Sequence, residues 1–391
     1  MKQYNFNEPT NRRGTGAIKY DLLKERFGEA DLTPLWVADM DFKTPDFILN
    51  AVEACCKNEI LGYTMPPQGY HSAILHWLQQ VHQWEVKKEW IDFIPGVVKG
   101  IALCTMHFTN PGDKIIIQPP VYYPFRAVPE NMGRTIVNNP LIEENGAYKM
   151  DLEHLESIID KDCKLLILCN PHNPIGITWH KETLQVLAEI CARHNILVIS
   201  DEIHADMALF GHRHIPFASV SETAKQNSIT LMAPSKTFNM AGVVSSYCIV
   251  PNDSLRRDFF RFLSIIEINQ MHIFAGITCQ AAYLHGENWM RQMLSYVEEN
   301  ILFVRDYLQK NIPSIKAIIP EASFLIWLDC RELNLKQSEL VSLFVNKARL
   351  ALNDGATFGA EGEGFMRLNV GCPRTTLREA LNSLKKAVAN D

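Results

Sequence analysis

Apolar positions recur at helical spacing over 47–58 and again over 70–81, which predicts two amphipathic helices, the first opened by Pro45-Asp46. Short apolar runs then alternate with helical stretches. The run 91–94 (Ile-Asp-Phe-Ile) precedes a helix over 97–108, and 114–117 (Lys-Ile-Ile-Ile) follows the turn signal Asn110-Pro111-Gly112-Asp113. Residues 164–169 form a nearly continuous apolar run, as expected of a strand covered on both faces. An amphipathic helix over 181–194 and apolar runs at 196–199 and 229–232 continue the series. Strands and helices in this order predict an α/β fold, a mostly parallel sheet covered by helices.

The C-terminal third has a different rhythm. An amphipathic stretch over 289–308 leads to apolar runs at 324–328 and 365–368, with helices near 338–347 and after Pro373. This predicts a small α+β layer. The first 45 residues are polar, punctuated by Pro34 and Pro45, and read as loop-like. The expected organisation is an N-terminal arm (1–45) joining the small domain, a large domain (46–286) and a small C-terminal domain (287–391), within the two to three domains that 391 residues suggest.

Composition narrows the function classes. Hydrophobic residues at 47% and charged residues at 21% describe a globular chain. With 38 Lys+Arg against 44 Asp+Glu, the net charge of −6 argues against a nucleic-acid scaffold, which needs a basic surface. No apolar run approaches the roughly 18 residues of a membrane span, and the N-terminus lacks the apolar segment of a secretory signal. Ten scattered cysteines with no CxxC pair read as reduced, buried thiols of a cytoplasmic protein.

Five segments carry candidate chemistry. Lys236, in Pro234-Ser235-Lys236-Thr237, follows a buried strand; it is either a surface lysine in a turn or a Schiff-base lysine, whose amine must be neutral to react. Asn170-Pro171-His172-Asn173-Pro174 follows the strand ending at Cys169, and ligands of open α/β sheets sit at such strand ends. Asp201 stands at the mouth of another buried strand, a costly position unless a partner meets it; a protonated pyridine nitrogen would be one, a helix-capping role the plainer alternative. Gly96 between a strand and the helix at Val97-Val98 leaves backbone N–H groups free for a phosphate. No GxGxxG or GKT/GKS element occurs. Arg367, inside the strand Phe365-Met366-Arg367-Leu368, is either a structural ion pair or a clamp for a substrate carboxylate.

The order of these segments resembles the fold-type-I pyridoxal-phosphate (PLP) enzymes of the class I/II aminotransferase superfamily, from about Trp36 to Arg374. Three stretches (Leu35-Trp36-Val37-Ala38-Asp39-Met40-Asp41-Phe42, Ser200-Asp201-Glu202-Ile203-His204 with Asp206, and Ser235 to Gly242) are similar to the MalY/PatB branch of cystathionine β-lyases. The resemblance implies a seven-stranded, mainly parallel sheet and a carbon–sulfur lyase that releases a thiol, pyruvate and ammonia from cystathionine or related cysteine conjugates. An aminotransferase needing a 2-oxo acid acceptor is the alternative. By the same resemblance Lys236 would hold the cofactor and act as base, Asp201 would pair with the ring nitrogen, and Tyr122 would stack on the ring. Asn173 and His204 would lie by the phenolic oxygen. Val97, Val98 and Ser235 would hold the phosphate, with Tyr63 reaching it from the partner subunit of a homodimer. Arg367, Ala38 and Asn173 would bind the substrate.

Departures from the wider pattern are His204 in place of a tyrosine, Val244 in place of a phosphate-binding arginine, and Ala233 in place of a serine. Asp39, Asp41 and Asp206 are expected as caps or loop hydrogen bonds. His172, His212 and His214 lack the spacing of helix-borne metal ligands. The glycines at 355, 359, 362 and 364 are expected to form a turn before the Arg367 strand.

Overall fold

The computed structural model describes residues 2–389; Met1, Asn390 and Asp391, the outermost residues of the two expected terminal units, lie outside the described residues. A central sheet of seven strands organises the chain: β1 (Ile91–Ile94), β2 (Lys114–Ile117), β3 (Thr135–Asn138), β4 (Cys163–Cys169), β5 (Leu197–Asp201), β6 (Ser228–Met232) and β7 (Ser246–Ile249). Their spatial order is β1-β7-β6-β5-β4-β2-β3. Only β7 runs against its neighbours, so the other six share one direction and present their C-terminal ends on one edge. β5 and β6 are buried at nearly every position, because helices cover both faces and leave no solvated side to be polar.

The C-terminal layer is a four-stranded antiparallel sheet, β8 (Lys316–Ile318), β9 (Leu325–Asp329), β10 (Asn353–Asp354) and β11 (Phe365–Asn369), in the order β8-β9-β11-β10. The 25-residue helix Glu287–Asn311 leads into it and buries Trp289, Met293, Val297, Ile301, Val304 and Leu308 along one stripe. The expected helix near 338–347 is α-helical over Gln337–Ser342 and then widens to a π-turn over Leu343–Lys347.

The arm is more ordered than its polar composition suggests. It holds helical turns at Ile18–Asp21 and Leu23–Phe27, and Thr33–Pro34 pairs in parallel with Leu350–Ala351. Leu23 and Leu32 pack with Val345 and Ala351, so a few buried leucines and a distant strand order a segment that has no amphipathic period of its own. No helix among the described residues is long and apolar enough to cross a membrane.

One loop ties the two layers together. Gly176 donates its N–H to His172 O at 2.6 Å and accepts from Glu321 N and Ala322 N, at 2.8 and 2.9 Å. Its φ of +78° and the lack of room for a Cβ, which would lie 2.4 Å from Pro320 Cβ, make glycine a requirement here.

Candidate active site

The C-terminal edge of the parallel strands carries the candidate residues. Asp201 is the last residue of β5, Asn173 lies in the loop after β4, and Lys236 follows β6. Gly96 stands between β1 and the helix Val97–Phe108 with φ +115°, a conformation that aims the helix start at the same edge. The N–H groups of Val97, Val98 and Lys99 belong to the first helical turn and so have no intrahelical acceptor. All these residues line one cavity of about 290 Å³, together with Ala38, Tyr122, Ile203, His204, Ser235, Val244 and Ser245.

Burial sets the electrostatics. Asp201 is pushed up to about 7 by desolvation, opposed by the N–H of Ile203 and the charge of Lys236. Desolvation likewise brings the Lys236 amine down to about 8, against the pull of Asp39. That amine donates to the Ala38 carbonyl at 2.6 Å. Burial, reinforced by the charges of Lys236 and Arg367, lowers His204 to about 3, so its imidazole is neutral. Tyr122 is raised to about 12 by burial and keeps its proton.

Arg367 is 3% exposed and sits in the middle of β11. Its hydrogen-bond partners among the described residues are all neutral: Asn173 Oδ1 at 2.9 Å, Asn353 Oδ1 at 2.6 Å and the Trp36 carbonyl at 3.1 Å. Its Nε is buried with no partner among the described residues. Desolvation lowers this guanidinium to about 10. The side chain also lies over the Phe358 ring, 4.9 Å from its centroid. A buried cation without a counter-ion costs several kcal/mol, which is the setting an incoming carboxylate relieves.

Of the residues singled out in the sequence, Tyr63 stands apart. It is fully exposed, in a segment that also exposes Ile60, Leu61 and Met65. Asp39 and Asp41 are neither caps nor simple loop hydrogen bonds but form ion pairs with Arg12 and Lys19. Asp206 is buried and accepts from Trp77, His82 and Thr237, the residue after Lys236. His172 bonds the Pro120 carbonyl and His214 bonds Glu202. No group of three or more His, Cys, Asp or Glu side chains suited to a metal lies together among the described residues.

Three contributors escaped the sequence reading. Ser245 lines the cavity with a buried hydroxyl that has no partner among the described residues, next to the Val244 that replaces the wider pattern's arginine. Lys99 lines the cavity at the same helix start as Val97 and Val98. Asn353 bonds Arg367. Turn signals stand near Lys99 and Asn353 in sequence, but nothing local assigns these three residues a part in the pocket. A larger cavity of about 1040 Å³ lies between the hairpin at 142–149 and β8, but its Arg331 is already paired with Glu143 and Asp329 and it holds none of these groups.

The donors fit a phosphorylated pyridine aldehyde. Free helix-start N–H groups with Ser235 and the unpartnered Ser245 suit a phosphate, Asp201 suits a ring nitrogen, Tyr122 a ring face, and a buried lysine an aldehyde.

Residues 33–384 match the family model for class I and II aminotransferases, and the chain belongs to that family. Within it, the chain is 42% identical over 386 residues to the cystathionine beta-lyase PatB of Bacillus subtilis, covering 98% of this chain and 100% of that protein. Its structure is similar to cystalysin from Treponema denticola, which contains a pyridoxal 5′-phosphate cofactor (TM-score 0.96, 33% identity, all of both chains). It is also similar to the PLP-bound C–S lyase from Staphylococcus hominis (TM-score 0.92, 31% identity, 99% of this chain and 98% of the other).

Proposed function

We propose that this protein is a PLP-dependent carbon–sulfur lyase that cleaves L-cystathionine and related cysteine S-conjugates to a thiol, pyruvate and ammonia. The observation that carries amino-acid chemistry is a buried guanidinium with only neutral partners, hydrogen-bonded to a wall residue of the cavity that holds a buried lysine. The 42% identity to a cystathionine beta-lyase over nearly the whole chain supports the choice of lyase.

When bound, PLP supplies an aldehyde that takes the substrate amine and a ring that accepts electrons from the substrate Cα. Val97, Val98 and Lys99 N–H groups, with the Ser235 hydroxyl, hold the phosphate. Asp201 keeps a proton on the ring nitrogen by direct pairing. Tyr122 would cover the ring, and Asn173 and neutral His204 would serve the phenolic oxygen. Arg367 would grip the α-carboxylate and so fix the orientation of the substrate's Cα–H bond, a positioning effect worth several kcal/mol. The Lys236 amine, brought near neutrality, takes the Cα proton. Loss of the Cβ thiolate and addition of water complete the balance: cystathionine and water give homocysteine, pyruvate and ammonia.

The same reading makes 46–286 the cofactor-binding unit and joins the arm 1–45 to the unit 287–391, supported by the pairing of Thr33–Pro34 with Leu350–Ala351. It also makes the working form a homodimer, in which Tyr63 reaches the partner's phosphate. The run of exposed apolar side chains around Tyr63 supports that. Ten unbridged cysteines, with Cys56 alone exposed, support a reducing, cytoplasmic setting.

The test is pyruvate release from L-cystathionine with and without an added 2-oxo acid. Release without the acceptor is expected. Turnover that depends on the acceptor makes the protein an aminotransferase, and no turnover of any amino acid refutes the enzyme reading.

A further inference from the structure

Two cations and two carboxylates lie together on the arm's side of the site. Arg12 grips Asp39 with both terminal nitrogens, at 2.6 and 3.2 Å, and reaches Asp41 at 2.9 Å. Lys19, 0% exposed, bonds Asp41 at 2.8 Å and the Asp39 carbonyl at 3.1 Å. Exposed ion pairs contribute little, and buried ones return little after desolvation. Fold stability alone is therefore a weak reason for burying Lys19 and Asp41 and half-burying Arg12 and Asp39 here.

Their position supplies a stronger one. They flank Ala38, whose carbonyl receives the Lys236 amine. The stretch around Ala38 is not part of either sheet. It is held by side chains from far along the chain: Asn369 Nδ2 bonds the Val37 and Asp39 carbonyls, at 2.6 and 2.7 Å, and Asn239 bonds Met40 N and the Met40 and Phe42 carbonyls. The charges that act on Lys236 are Asp39 from this stretch, Asp201 from β5 and Arg367 from β11, and the neutral His204 lies in the same cavity wall.

We propose that Arg12 and Asp39 are positioning residues for the base: the arm's guanidinium grips the Asp39 carboxylate and so holds the neighbouring Ala38 carbonyl against the Lys236 amine, by which the N-terminal arm sets how tightly that amine keeps its proton. This rests on Lys236 being the base of the proposed reaction.

The test uses the full chain freed of cofactor. Lys236 is labelled competitively with acetic anhydride across pH, and its peptide is read by mass spectrometry. Asp39→Asn removes a neighbouring negative charge, so the labelling midpoint falls by about half a pH unit or more, about a threefold gain in reactivity at a fixed pH below it. Asp39→Glu restores the midpoint toward the parent value. Arg12→Met leaves Asp39 only the more distant Lys19 ammonium, at 3.7 Å, as counter-ion, and the midpoint rises. Midpoints unchanged in both Asp39→Asn and Arg12→Met overturn the proposal. Where Asp39→Asn fails to fold by near-ultraviolet circular dichroism, Arg12→Met decides alone. No substrate enters the measurement, so failure of pyruvate release and failure of these shifts are separate results.

Discussion

Replacing Arg367 tests the proposed carboxylate clamp apart from everything else in the site. Arg367→Lys keeps a positive charge but cannot present a planar fork, and it loses one charge-assisted hydrogen bond to the substrate. Such a bond contributes about 1.5–3 kcal/mol, so kcat/KM for cystathionine falls about 10- to 200-fold. Arg367→Met also removes the charge. Truncating one member of a buried, hydrogen-bonded ion pair costs about 2–5 kcal/mol, which is a loss of about 30- to 5,000-fold. The fold should survive, because Arg367 has no acidic partner among its hydrogen bonds and the groups it leaves behind, Asn173, Asn353 and the Trp36 carbonyl, are neutral. The assay is initial-rate pyruvate release without a 2-oxo acid, repeated with a substrate analogue whose α-carboxylate is replaced by hydrogen and read as thiol release. Arg367→Met should lose its deficit on the analogue, since the missing interaction is absent from both proteins. A kcat/KM for cystathionine within threefold of the parent, or an equal deficit on both substrates, refutes the clamp.

Four further outcomes follow from the same geometry. Asp201, raised to about 7, holds its own proton at lower pH and then offers the ring nitrogen no charge; PLP affinity, measured by fluorescence titration, should weaken as the pH falls below about 7, and Asp201→Asn should bind weakly with that dependence gone. The linked effect on the cofactor-free protein has the opposite sense: a carboxyl whose proton affinity is higher folded than unfolded contributes stability at acid pH that is lost as the pH rises through about 7, and urea midpoints across that range should show it. Gly176→Ala puts a Cβ 2.4 Å from Pro320 and 2.7 Å from the Ala322 carbonyl at φ +78°, and should cost about 2–4 kcal/mol in urea unfolding; a loss below about 0.5 kcal/mol would mean the loop shifts freely. Mixing Lys236→Ala chains with Tyr63→Ala chains should regain activity if Tyr63 serves the partner's site, because one site of each hybrid dimer then carries both native residues, whereas no regain places Tyr63 in its own chain's service or in none.

The legible parts of the chain were those whose signal is local. Strands β4, β5 and β6 show as apolar runs because both faces are covered, and Asp201, Asn173 and Lys236 stand out because polar groups directly after such runs need a reason. Strand β3 has only exposed and half-buried positions at the sheet edge, and β7 is a four-residue segment buried throughout. Neither has a period to detect. Ser245 and Asn353 were hidden for another reason: their parts are assigned by contacts that close only when distant segments meet. The ion pairs of Arg12 and Lys19 belong to the same class, since neither lysine nor arginine in a polar arm differs on paper from a solvated one.

The bond between Asn173 and Arg367 has a consequence for anyone wishing to redirect the enzyme. In the proposed reaction one amide would serve both the cofactor's cradle and the grip on the incoming acid, so altering it to admit a new substrate would disturb vitamin loading at the same stroke. Asn353 and the backbone at Trp36 hold the guanidinium from the other side and do not line the cofactor cavity. Libraries that aim to change selectivity should therefore spare position 173 and sample 353 and its surroundings.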